Sequence, residues 1–196
     1  MNKLISKLCK YLLLNDIIKE EDISLYEYGF YQIFFYLIEY GCLFIIAIIL
    51  DAFWVFLVFL FSIMIIRKNA GGIHSESHLI CFVLTCLIFF IVLRTLKTTE
   101  PISIMKYICI PLIISVILII FLAPVETPNK KLSSNEYKVY RKRTLIALLL
   151  DLSILALSAI VNKLIIVEAI SFSIIISAAL VVLGKIKMTY LKHRKQ

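Results

Sequence analysis

Ile102–Pro124, ISIMKYICIPLIISVILIIFLAP, carries a single charged side chain, Lys106, in 23 residues. As a helix it is about 34 Å long, more than the roughly 30 Å of hydrocarbon in a bilayer. It is apolar on every side, which a soluble surface helix is not. Five further stretches read the same way: Tyr28–Leu50, Ala52–Ile66, Leu79–Leu96, Leu145–Val161 and Leu164–Gly184. Together they account for most of the 196 residues, of which 62% are hydrophobic and only 17% charged. Mean hydropathy is +0.99. This composition excludes a sizeable soluble domain. The expectation is all-α: a polytopic integral membrane protein with about six transmembrane helices and an N-terminal amphipathic interfacial helix. It forms one domain over 1–196, with the interfacial helix in 1–22, the bundle in 28–184 and a basic tail in 185–196. A tight hairpin is expected near Asp51, between the first two spans.

Positive charge orients the bundle, because short loops rich in Lys and Arg stay in the cytoplasm. Lys3, Lys7, Lys10 and Lys19 precede the first span, and Arg67 and Lys68 follow the second. Lys130, Lys131, Lys138, Arg141, Lys142 and Arg143 separate the fourth from the fifth, and Lys185, Lys187, Lys192, Arg194 and Lys195 end the chain. Of 21 cationic residues this leaves Arg94, Lys97, Lys106 and Lys163 for the other side. Both termini and the segment after Arg67 are therefore expected in the cytoplasm. The net charge of +8 is explained by retention there and by attraction to anionic lipid, without nucleic acid.

Near the N-terminus, Tyr11–Leu14 is too short for the apolar region of a signal peptide, so no cleavage is expected. Leu4, Ile5, Leu8 and Leu12 recur at helical spacing among lysines, the pattern of a helix lying on a membrane surface. A second use is to grip a helical substrate. Cys9, Cys42, Cys81, Cys86 and Cys109 show no paired spacing and are not expected to form disulfides.

Polar chemistry concentrates in Arg67–Cys81, RKNAGGIHSESHLIC, which holds two of the three histidines. Asn69-Ala-Gly-Gly72 permits positive φ and a sharp turn. On a continuous helix His74, His78 and Cys81 would share a face, with Glu76 pointing away. Two chemistries fit. A histidine can take the thiol proton of Cys81, leaving a thiolate nucleophile, and then protonate a leaving amine. Two histidines at i and i+4 with a cysteine also suit zinc. However, His74-Ser-Glu-Ser-His78 lacks the glutamate directly after the first histidine that H-E-x-x-H requires, so no metal or other cofactor is assigned. An interfacial polar turn with no chemistry is the plain alternative.

Arg67, Ala70-Gly71-Gly72, His74 and Cys81, followed two spans later by Ala123-Pro-Val-Glu-Thr-Pro-Asn-Lys-Lys-Leu132, resemble the accessory gene regulator B (AgrB) family of bacterial membrane endopeptidases. The first motif is A-G-G-x-H with a cysteine seven residues after the histidine. The second resembles the family loop A-P-V-E-x-x-N-K-P-L, with Lys131 where the final proline stands. The resemblance implies processing of an AgrD-like quorum-sensing propeptide with an amphipathic leader, a central Cys or Ser and an acidic tail. In it Cys81 attacks at the tail junction, and the peptide's own side chain displaces Cys81 to close a thiolactone or lactone. The partners it implies are this peptide and the bilayer, with a homodimer left open.

The resemblance assigns the base to His74, whereas a straight helix favours His78. Along such a helix His74 and Cys81 are about 10.5 Å apart, beyond proton-transfer reach unless the chain folds back at Gly71 and Gly72. His74 in a bent segment is the expectation. Gly71 and Gly72 are candidates for oxyanion donors, Arg67 for charge stabilisation or topological anchoring, and Asn129, Lys130 and Lys131 for holding the acidic tail. Glu39, Asp151 and Glu168, costly in lipid, are expected to face the bundle interior or another subunit. A small transporter or peptide-export protein would suit those acids, but it has no use for Gly-Gly, His and Cys at one membrane edge, and no internal repeat supports it.

Overall fold

The structure, a computed structural model, describes residues 2–72, 78–98, 101–126 and 132–194. These form seven α-helices: α1 (Asn2–Leu14), α2 (Ile23–Ile49), α3 (Phe53–Ala70), α4 (His78–Thr98), α5 (Pro101–Leu122), α6 (Ser134–Ile160) and α7 (Leu164–His193). Each of the six apolar stretches lies in a helix of its own. Helices are the only open-chain way to satisfy every backbone N–H and C=O within lipid. By length and composition, five are fit to cross a membrane: α2 with the 3-10 turn before it, α3, α4, α6 and α7. The described apolar part of α5 is Tyr107–Leu122. The protein is thus an all-α polytopic membrane protein.

The chain forms two compact units, Met1–Ile46 and Ala47–Gln196. In the first, Ile5 and Cys9 lie one turn apart on α1 and are buried, while Leu4, Leu8, Tyr11 and Leu14 remain exposed. Of the apolar stripe expected on this helix, Ile5 alone is withdrawn inside. Asp16, at φ 52°, ends α1 in a left-handed residue. Its N–H donates to the Leu13 carbonyl and that of Ile17 to the Leu12 carbonyl, the paired bonds of a Schellman cap.

In the second unit α7 is central, packing most extensively on α5 and α3, then on α6 and α4. Its buried residues include Ala169, Ser171, Ser173, Ser177 and Ala178, small side chains that let neighbouring helices approach closely. Ile66 of α3, Ile119 of α5, Leu148 of α6 and Ile174 of α7 meet in one apolar core. Phe89 of α4 sets its ring edge-on to Phe56 and Phe59 of α3, with centroids 5.8 and 4.8 Å away.

The expected hairpin is a Schellman cap on α2: Asp51 takes φ 48° and the Ala52 N–H reaches the Ala47 carbonyl at 2.9 Å. Asn162, at φ 57°, closes α6 in the same way. Asp and Asn tolerate this left-handed conformation better than other non-glycine residues. At its other end α6 starts well before the apolar run at Leu145. Ser133 and Glu136 form a capping box, Oγ of Ser133 accepting from the Glu136 N–H and the Glu136 carboxylate accepting from the Ser133 N–H. The basic segment Lys138–Arg143 is therefore helical. α7 likewise runs through Lys185 and Lys187 to His193.

Candidate active site

The last turn of α3 carries Arg67 and Lys68, and the helix ends where Gly71 turns to φ 71°. The Gly71 N–H donates to the Arg67 carbonyl at 3.2 Å, and Gly72 continues at φ 142°. Beyond α5 the chain passes through Ala123 and a cis peptide to Pro124, and the Val125 N–H then donates to the Ala70 carbonyl at 2.9 Å. Gly71 and Val125 pair as an isolated parallel bridge. The two motifs, separated by two spans in sequence, are thus stitched together through their backbones.

Glycine is required at this junction for space as well as for φ. A Cβ on Gly71 would stand 2.5 Å from the Val125 carbonyl oxygen, and one on Gly72 would stand 3.2 Å from the Leu180 carbonyl of α7. Ala70, Ala123 and Val125 around it are buried. The Gly71 N–H is occupied in capping α3, so of the two oxyanion candidates its donor is already engaged.

His74 lies outside the described residues, as do Asn129, Lys130 and Lys131. His78 is the first residue of α4 and is solvent-exposed. Cys81 follows one turn later as a partly buried free thiol, and its carbonyl accepts from the Thr85 hydroxyl at 2.9 Å. Arg67 is half-buried at the end of α3. Of the candidate residues, the structure brings Gly71 against Val125 of the Ala-Pro-Val motif and Gly72 against Leu180 of α7, with Arg67 one turn before Gly71.

Two features escaped the sequence. Beside the stitched motifs lies a cavity of about 180 Å³ lined by Val125 and Glu126 together with Tyr137 of α6 and Lys185 of α7. Helical continuation of both termini, at Ser134 and beyond Gly184, creates it; Ser133-x-x-Glu136 was the available signal. Deeper in the bundle the Ser62 hydroxyl donates to the Asp151 carboxylate at 2.8 Å and contacts the Ser173 hydroxyl, joining α3, α6 and α7. Asp151 and Glu168 are buried, as expected of acids facing the interior, and Glu39 is half-buried. Neither carboxyl oxygen of Glu168 has a hydrogen-bond partner among the described residues.

Fold and junction define a class: a polytopic all-helical membrane protein in which a glycine turn after one span is bonded to a proline-containing exit from another. A family model, accessory gene regulator B, matches residues 1–182, and the chain belongs to the AgrB family. It is 32% identical over 122 residues to a Clostridium perfringens (strain SM101 / Type A) protein named "Putative AgrB-like protein". It is 28% identical over 122 residues to "Putative AgrB-like protein 2" of C. perfringens (strain 13 / Type A). Each match covers 60% of this chain and 57% of the relative, so the chain spans little more than half the length of these curated relatives. No solved structure matches it.

Proposed function

We propose that this protein is a membrane cysteine endopeptidase that removes the C-terminal tail of an AgrD-like propeptide and promotes closure of the remainder into a thiolactone or lactone signal. The observation that carries this reading is the backbone junction of Ala70-Gly71 with Val125. It supports a fixed platform, since His74 follows Gly71 by three residues in the chain and Asn129 follows Val125 by four.

In this reading His74 takes the proton of the Cys81 thiol and the sulfur adds to the carbonyl at the tail junction. Collapse breaks the C–N bond, His74 returns its proton to the leaving amine, and the peptide remains as a thioester on Cys81. The central Cys or Ser of the peptide then attacks that thioester, the C–S bond to Cys81 breaks, and the ring closes with the enzyme thiol restored. Water takes no part in either step, so the thioester has to be shielded from hydrolysis until the ring closes. Arg67 and the Gly72 N–H are assigned to the developing oxyanion, and Asn129, Lys130 and Lys131 to the acidic tail. The charge distribution supports placing both termini and this site at the cytoplasmic side.

The purified protein in liposomes, supplied with a precursor of this design, tests the proposal by mass spectrometry of the released tail. Wild type should release it, Cys81→Ala should lower the rate at least about a thousandfold, and a chelator should have no effect. Release that survives Cys81→Ala would refute the thiol mechanism.

A further inference from the structure

α6 presents one continuous face on which Lys138, Arg141 and Lys142 are followed, at i+3 and i+4 spacing, by Leu145, Ile146, Leu149 and Leu150. A shallow concavity of about 440 Å³ runs along it and is lined by these residues alone. The helix buries its other side, through Thr144, Ala147, Leu148 and Asp151. The face with the cations looks outward, Leu149 being 64% exposed.

From Lys138 to Leu150 the face is about 18 Å long, close to the depth of one leaflet from phosphate toward the midplane. Its three cations fall within about 6 Å of helix axis, so a single phosphodiester can meet them together. The four aliphatic residues begin directly beneath. We propose that this face is a binding site for an anionic phospholipid, its phosphate held by Lys138, Arg141 and Lys142 and an acyl chain laid over Leu145, Ile146, Leu149 and Leu150. A zwitterionic lipid would bring its own ammonium group against three cations. An acidic peptide would match the charges but leave the aliphatic half of the concavity without hydrocarbon. The site depends on the membrane placement of α6 and not on the proteolytic reading, so either can fail alone.

The test uses the full chain with Trp54→Phe, removing its one tryptophan, and Ile146→Trp as reporter, in phosphatidylcholine liposomes. Quenching by brominated phosphatidylglycerol is compared with quenching by brominated phosphatidylcholine. The site predicts a preference for the anionic lipid of roughly tenfold at low salt, falling to about twofold or less when Lys138→Gln, Arg141→Gln and Lys142→Gln are combined. Equal quenching with the three cations present, or a preference that survives their removal, would overturn it. Equal quenching that an added oligoglutamate peptide relieves would assign the face to an acidic peptide and overturn it also. Native mass spectrometry of the unsubstituted protein supplies the independent count: retained phosphatidylglycerol over phosphatidylcholine supports the site, and equal retention contradicts it.

Discussion

His74 and His78 differ in what the fold asks of them. His78 opens α4 and is exposed, one turn from Cys81, whereas His74 follows the Gly71-Gly72 turn that is bonded to Val125. The proposal places the base at His74. His74→Gln should therefore reduce tail release by at least about a hundredfold and His78→Gln by less than about threefold, in the same liposome assay. The opposite order would move the base to His78. At Gly71 two penalties coincide, a φ of 71° and a Cβ 2.5 Å from the Val125 oxygen. Gly71→Ala should cost about 2–3 kcal/mol and lower the thermal midpoint by roughly 5–10 °C. Gly41→Ala, where a Cβ would meet nothing within 4 Å, should leave it within about 2 °C.

Among the elements, one ion pair links the α2–α3 turn to the C-terminal end of α4. The Lys97 ammonium donates to the Asp51 carboxylate at 2.8 Å, and this hydrogen bond, with the charge behind it, holds the Asp51 carboxyl below its usual range. A depressed carboxyl stabilises the fold above its unfolded-state pKa of about 4 and loses that contribution as pH falls through the lower folded value. Thermal midpoints should therefore drop as pH falls below about 4, and Lys97→Met should flatten that part of the profile. The pair is exposed on the Asp51 side, so the change should be small and smaller still in 1 M salt. An unchanged profile in Lys97→Met would show that other carboxylates carry the acid response. The six apolar helices were legible in sequence because lipid demands long runs such as Leu164–Gly184. The N-terminal extension of α6 was not, because an apolar window passes over Lys138–Arg143 and the capping box Ser133/Glu136 is a local hydrogen-bond signal. The bond from Val125 to Ala70 had no sequence signature, since both partners are backbone groups; two adjacent glycines announced a turn but not what would meet it.

Across the whole molecule, the family pattern joins residues that the chain carries far apart, and the junction of Gly71 with Val125 gives that pattern a physical reason. In the proposed mechanism Cys81 holds the peptide as a thioester between cleavage and ring closure. That thioester can be trapped by denaturing a reaction in liposomes within the first turnover, using a precursor whose central Cys or Ser is replaced by Ala so that the ring cannot close. Intact-mass spectrometry should show the protein heavier by the mass of the peptide without its tail, the adduct should map to Cys81, and hydroxylamine should remove it. Released tail with no hydroxylamine-sensitive adduct, or an adduct on another residue, would rule out a thioester at Cys81.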